Sequence, residues 1–113
     1  MMAVNIDIPG QGKVLAHYGE EAQAMIHMEE CAELIQAISK MRRVRHAFAE
    51  GRSVDDTDAY YNLVEEMADV LICMEQMQEM YCISDRELRD MVIRKCSRQE
   101  DRMYELDRKL FEG

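Results

Sequence analysis

Apolar side chains return every three or four positions over most of this chain, and nowhere in the strict alternation that a half-buried strand needs. From about Glu20 to Glu50 the positions Ile26, Leu34, Ile38 and Met41 trace one face of a long helix, with Gly51 placed to stop it. A short helical turn over Lys13 to Tyr18 precedes it and ends near Gly19. Residues 51–58 (GRSVDDTD) have the composition of a loop. A second long helix is predicted from about Asp58 to Cys82, with Leu63, Met67, Val70, Leu71, Met74 and Met77 as its buried stripe. Ser84 and Glu87 have capping-box spacing and open a third long helix that reaches about Phe111. Residues 1–12 read as an irregular start.

One Pro and five Gly in 113 residues leave room for few turns, so the pattern predicts an all-α fold, an antiparallel helical bundle of three to four helices. The length is that of a single domain, 1–113. Helices this long cannot bury all their apolar faces in so small a monomer, and a homo-oligomer, dimer or tetramer, is expected to complete the bundle. No apolar run approaches a membrane span, and the start has neither the basic nor the apolar region of a secretory signal, so a cytoplasmic location is expected. The 11 Met read as adaptable core fillers, and the four Cys, without paired spacing, as reduced, buried thiols.

The informative feature is a near-repeat, Glu29 to Ile38 (EECAELIQAI) and Glu65 to Met74 (EEMADVLICM). Each copy holds an acidic pair three apart, Glu30 with Glu33 and Glu66 with Asp69, close enough on a helix for both carboxylates to reach one cation. With 23 acids in 113 residues, chance alone supplies about five such pairs. Their register is less ordinary. Leu34 and Met41 fall within roughly 40° of Glu30, and Val70 and Met77 within roughly 40° of Glu66, so both glutamates lie in the apolar sector. Glu33 and Asp69 stand at its margin, whereas Glu29 and Glu65 point to solvent. Four carboxylates facing one another demand protonation or a counter-charge. Lys or Arg from the third long helix, or a wet oligomer seam, would satisfy them; so would Mg²⁺, a hard cation that takes carboxylate oxygens together with water and phosphate. A di-iron centre would want Glu-x-x-His, and none of His17, His27 and His46 follows a Glu by three. His27 reads as a packing residue rather than a ligand.

The net charge is −9, so neither nucleic acid nor an anionic membrane is expected as a partner. Positive charge is nevertheless concentrated: Lys40, Arg42, Arg43, Arg45 and Arg52 accompany a single acid, Glu50, between positions 40 and 52. Lys95, Arg98 and Arg102 share one face of the third long helix, either as phosphate clamps or as a solvated face. The chain has no GxxxxGK[ST] phosphate loop and no GxSxG elbow.

In these motifs the chain resembles the MazG-like, all-α nucleoside triphosphate pyrophosphohydrolases, whose mark is ExxE followed after a loop by ExxD. The match is Glu30-Cys31-Ala32-Glu33 and Glu66-Met67-Ala68-Asp69, within a likeness running from about Gln23 to Arg102. The resemblance implies hydrolysis of a nucleoside triphosphate to the monophosphate and pyrophosphate, in pool cleansing or nucleotide homeostasis. It implies Mg²⁺, with Mn²⁺ as a substitute, held by Glu30, Glu33, Glu66 and Asp69, with Glu33 also able to orient or deprotonate the attacking water. Gln23, Lys40, Asn62, Lys95, Arg98 and Arg102 occupy positions that the resemblance associates with substrate. The chain departs from the pattern in having no Trp to stack on a base and Gln99 where many relatives have Asn. Phosphoribosyl-ATP pyrophosphohydrolases share the acidic pattern but fit the Arg-rich stretch between the motifs less well. A helical interaction or regulatory protein that keeps the acids without chemistry is the alternative from another class.

Overall fold

The computed structural model describes residues 5–112; the first four positions of the expected irregular start lie outside the described residues. Four helices, and among the described residues no strand, follow in order: α1 (Gly12–Tyr18), α2 (Glu20–Ala49), α3 (Thr57–Met80) and α4 (Asp85–Glu112). None of them is long and apolar enough to cross a membrane. The chain divides into two compact units, Met1–Tyr81 and Cys82–Gly113.

In the first unit α2 packs lengthwise on α3, with α1 against both. Local chemistry sets the boundaries. Gly19 joins α1 to α2 at φ 87° and ψ 154°, a backbone region that a Cβ would forbid. At the end of α2, Gly51 adopts φ 78°; its N–H donates to the Phe48 carbonyl at 2.9 Å and that of Arg52 to the Ala47 carbonyl at 3.0 Å, the paired closure of a Schellman motif. Before α3, the Asp55 carboxylate accepts from both the Thr57 N–H, at 3.0 Å, and its hydroxyl, at 2.6 Å. These two bonds hold the Asp55 pKa below its ordinary value.

The contact between α2 and α3 is a narrow seam that advances by three or four residues at a time, the geometry of helices packed nearly antiparallel. Gln23, His27, Glu30, Leu34, Ala37, Met41, Val44 and Ala47 form its α2 side, and Ala59, Asn62, Glu66, Asp69, Cys73 and Gln76 its α3 side; all are buried or half-buried. Ala37 is fully enclosed and Ala59 nearly so. Small side chains at these points let the two backbones approach.

This seam corrects the stripes expected from periodicity. Leu34, Met41, Leu63, Val70, Leu71 and Met77 are half-buried as expected, whereas Ile26, Ile38, Met67 and Met74 are exposed. The physical reason is that polar residues occupy the middle of the contact and displace the apolar stripe to its flanks. The expected burial of all four thiols is likewise corrected: Cys73 is buried, but Cys31, Cys82 and Cys96 are exposed and free. Cys31 lies on α2 outside the seam, Cys82 in the turn after α3, and Cys96 on α4.

In the second unit, the Glu87 N–H donates to Ser84 Oγ at 3.1 Å, and the Ser84 N–H lies 3.5 Å from Glu87 Oε1, so the expected capping box opens α4. Leu88 is half-buried and the rest of α4 is exposed.

Candidate metal and phosphate site

Antiparallel pairing places the two acidic motifs opposite each other. Because α2 and α3 run in opposite directions along a shared seam, Glu30 meets Asp69 while Glu33 meets Glu66. Carboxylate oxygens of Glu30, Glu66 and Asp69 all lie within 4.8 Å of one another, on half-buried side chains. Glu33 is exposed, as are Glu29 and Glu65, which point away from the seam as expected. The sequence placed Asp69 at the margin of the apolar sector; the structure brings it onto the seam, because the contact follows a step of 3.5 residues rather than the wider stripe.

Electrostatics make this a costly arrangement. Burial of the Glu30 carboxyl pushes its pKa up to about 7, helped by the negative charges of Asp69 and Glu33 and by a hydrogen bond with Asp69. Glu66 is also raised, first by burial, then by the charges of Glu33 and Asp69 and a hydrogen bond with Glu33. Among the described residues of this unit, no Lys or Arg forms an ion pair with any of the four acids; the local pairs join Glu50 to His46, at 2.9 Å, and to Arg52, at 2.8 Å. Glu30 Oε2 and Glu66 Oε2 are buried and have no hydrogen-bond partner. Two orphaned carboxylate oxygens in one cluster of hard donors fit a divalent cation of the Mg²⁺ type.

Below Glu30 on the seam lies a separate, satisfied polar group. His27 Nε2 donates to Gln76 Oε1 at 2.7 Å, Gln23 Nε2 donates to the same oxygen at 3.1 Å, and Gln76 Nε2 donates to Gln11 Oε1 at 3.0 Å. The shared acceptor places the imidazole proton on Nε2. His27 is therefore a packing residue, as expected, and Gln23 Nε2 is engaged by Gln76. Cys73, also on the seam, has its thiol pushed up to about 11 by burial and by the Glu30 charge, so it stays protonated and is no nucleophile.

Beside the carboxylates, Glu33, Gln36, Lys40, Arg43, Asn62 and Glu66 line an open cleft of about 430 Å³. The expected Lys40 and Asn62 are thus brought next to the acids. Arg43 is shared with a second cleft of about 500 Å³, where it is joined by Ser39, Arg42, His46, Ala47 and Arg52. Its guanidinium donates to Ser39 Oγ at 3.0 Å. Gln36 and His46 were not singled out from the sequence. The signal was present: Glu33, Gln36, Lys40 and Arg43 follow the same three-four step as the seam, one position row outward. Lys95, Arg98 and Arg102 lie exposed on α4, in the second unit.

Among known proteins, no family model, curated protein or solved structure matches this chain.

Proposed function

We propose that this chain is a Mg²⁺-dependent nucleotide pyrophosphohydrolase, cleaving a nucleoside triphosphate to the monophosphate and pyrophosphate. The observation that carries the reading is the pair of buried, unpartnered carboxylate oxygens on Glu30 and Glu66, in a cluster that adjoins a cleft lined by Lys40 and Arg43. Acidic and basic side chains on one wall are what a metal-bound polyphosphate requires: the acids hold the cation, and the cations flank the phosphate oxygens. The motif resemblance points the same way.

Glu30, Glu66 and Asp69 would hold the ion, with Glu33 completing the set from the exposed side. Bound there, Mg²⁺ would supply Lewis-acid polarisation of the phosphate and a more acidic bound water. Lys40 and Arg43 bind and orient the phosphate chain. Asn62, half-buried on the same wall one turn before Glu66, supports the carboxylates or meets the nucleotide. Glu33 is the acid with access to solvent, and it accepts the proton of the attacking water as the water oxygen bonds to phosphorus and the anhydride P–O bond between the monophosphate and the pyrophosphate breaks.

Pyrophosphate release from a panel of canonical and modified nucleoside triphosphates, with and without Mg²⁺ or Mn²⁺, tests the reading. Metal-dependent release that Glu66→Gln and Asp69→Asn abolish, at unchanged helicity, is the expected result. Inactivity across the panel would make the acids part of a non-catalytic helical protein.

A further inference from the structure

Apart from Arg43, the residues lining the cleft at the end of α2 have no part in the chemistry proposed above. The cleft measures about 500 Å³, and its lining includes the buried Ala47 and the half-buried Ser39. Three guanidiniums, those of Arg42, Arg43 and Arg52, and the His46 imidazole stand around it. The one acid between positions 39 and 52 is Glu50. The three fixed positive charges of the lining, less that negative one, leave +2 on a chain whose net charge is −9.

Two ordinary roles for basic side chains do not account for this set. Cations near a helix end complement the partial negative charge of its free carbonyls, an effect that falls off within the last turn. Only His46 of the set lies in the last turn of α2. The carbonyls of His46, Ala47 and Phe48 are, moreover, already taken by the N–H groups of Glu50, Arg52 and Gly51, at 3.1, 3.0 and 2.9 Å. Pairing with acids does not account for it either. Glu50 Oε1 lies 2.8 Å from Arg52 Nη2 and 2.9 Å from His46 Nε2, and among the described residues Arg42 and Arg43 form no ion pair.

Those same contacts give the cleft its form before any ligand arrives. Arg43 Nη1 donates to Ser39 Oγ, and Glu50 ties Arg52 to His46, so three of the four basic side chains have less freedom to lose on binding. A guanidinium fork matches two oxygens of one phosphate. Three forks around a cleft of this size therefore suit an anion with two linked phosphoryl groups better than a single phosphate. A long polyanion is a poorer fit, because beyond the cleft it would meet Glu33 and Glu66 and the negative balance of the whole chain.

We propose that this cleft binds a diphosphate anion, at a site separate from the carboxylate cluster and filled without metal. Free pyrophosphate and the diphosphate tail of a nucleotide share that chemistry. The site does not rest on the nucleotide reading.

The test is calorimetric titration of the full chain, freed of metal by chelator and then dialysed, with inorganic pyrophosphate and, in a second arm, with a nucleoside diphosphate. Pyrophosphate is expected to bind at one site, about tenfold or more tighter than inorganic phosphate. A nucleoside diphosphate bound no more tightly identifies the free anion as the ligand; one bound more tightly identifies the tail of a nucleotide. Arg42→Gln with Arg52→Gln is expected to weaken pyrophosphate binding by about tenfold or more, while Lys40→Ala leaves it unchanged. Circular dichroism checks that the double variant keeps its helices. On the parent chain, pyrophosphate is expected to move the amide chemical shifts of Ser39, Arg42, His46 and Arg52 most. Absent binding, an affinity equal to that for phosphate, indifference to the double variant, or shifts centred on Lys40, Asn62 and Glu66 would each overturn the proposal. Neither metal nor turnover enters the titration, so a failed hydrolysis assay leaves this site standing, and a failed titration leaves the nucleotide reading standing.

Discussion

Replacing Glu30 by Gln separates two demands that the carboxylate cluster places on one residue. Without bound metal, Glu30 titrates at about 7, against 4.5 for an ordinary glutamate. Between those values the folded chain keeps a proton that the unfolded chain has released, so folding is most favoured at the acid end and loses stability as pH rises through 7. The separation corresponds to at most roughly 3 kcal/mol. Because the cluster is open to water on its Glu33 side, screening brings this to the order of 1 kcal/mol. The carboxamide keeps the volume and removes the charge. At about pH 8 the metal-free variant is therefore expected to be more stable than the parent by about 1 kcal/mol, or about 5 °C in melting temperature, with the gap closing near pH 5.

Divalent metal is expected to reverse the ranking. An ion that binds only the folded chain adds RT ln(1 + [L]/Kd), about 2.7 kcal/mol at a hundredfold excess over Kd. The parent is expected to gain melting temperature on addition of Mg²⁺, more at alkaline than at acid pH, while Glu30→Gln gains little and loses turnover. Thermal melts followed by far-UV circular dichroism, with chelator and with Mg²⁺ across pH, read all four combinations. A parent whose melting temperature is flat in both pH and Mg²⁺, or a variant less stable than the parent at alkaline pH without metal, would refute the reasoning.

Three further outcomes follow from the packing. Gln76→Leu strips the shared acceptor from Gln23 and His27, both buried, and is expected to cost about 1–3 kcal/mol in a urea titration. Cys82 holds φ 54° without being glycine, so Cys82→Gly is expected to stabilise the chain by about 0.5–1 kcal/mol, read as a higher urea midpoint at unchanged slope. Lys40→Ala removes a cation beside the carboxylates without touching the acids; steady-state kinetics is expected to show a raised KM, and Mg²⁺ should still raise its melting temperature as it does the parent's.

The helices were legible because their ends carry local chemistry. Gly19, Gly51 and the Ser84–Glu87 box each fix a terminus with atoms close by in the chain, and the expected boundaries agree with α1 to α4 within about two residues. The buried face was less legible. Periodicity weights apolar residues: it sets Glu30 and Glu66 in the apolar sector beside Leu34 and Val70, but it gives no sign that the Gln23 and Gln76 carboxamides are buried on the same seam. Met67 and Met74 were placed inside for the same reason. The acidic pairs could be read because a repeat of Glu-x-x-acid in matching register is unusual in a way that single buried amides are not. The basic row through Gln36 and Arg43 needed the true step of the seam before its shared face with Glu33 and Lys40 became visible.

A seam built this way has a consequence for the whole first unit. Its enclosed apolar side chains are Ala37, Ala47, Ala59 and Cys73, all small, and the largest buried groups are polar. Apolar burial scales with area removed from water, so these residues contribute far less than a Leu- or Ile-lined contact of the same length. Holding Glu30, Glu66 and Asp69 within 4.8 Å of one another adds repulsion to that shortfall. Such a contact is stabilised by whatever neutralises the acids and by whatever covers the exposed flanks, among them Ile26, Ile38, Met67 and Met74. Binding a cation at the centre would then be coupled to the integrity of the α2–α3 pair itself, so that hydrogen exchange along Ala37–Ala47 and Ala59–Cys73 slows when Mg²⁺ is added and quickens under chelation. Protection confined to the residues next to the acids would instead mean that the helix pair stands without them.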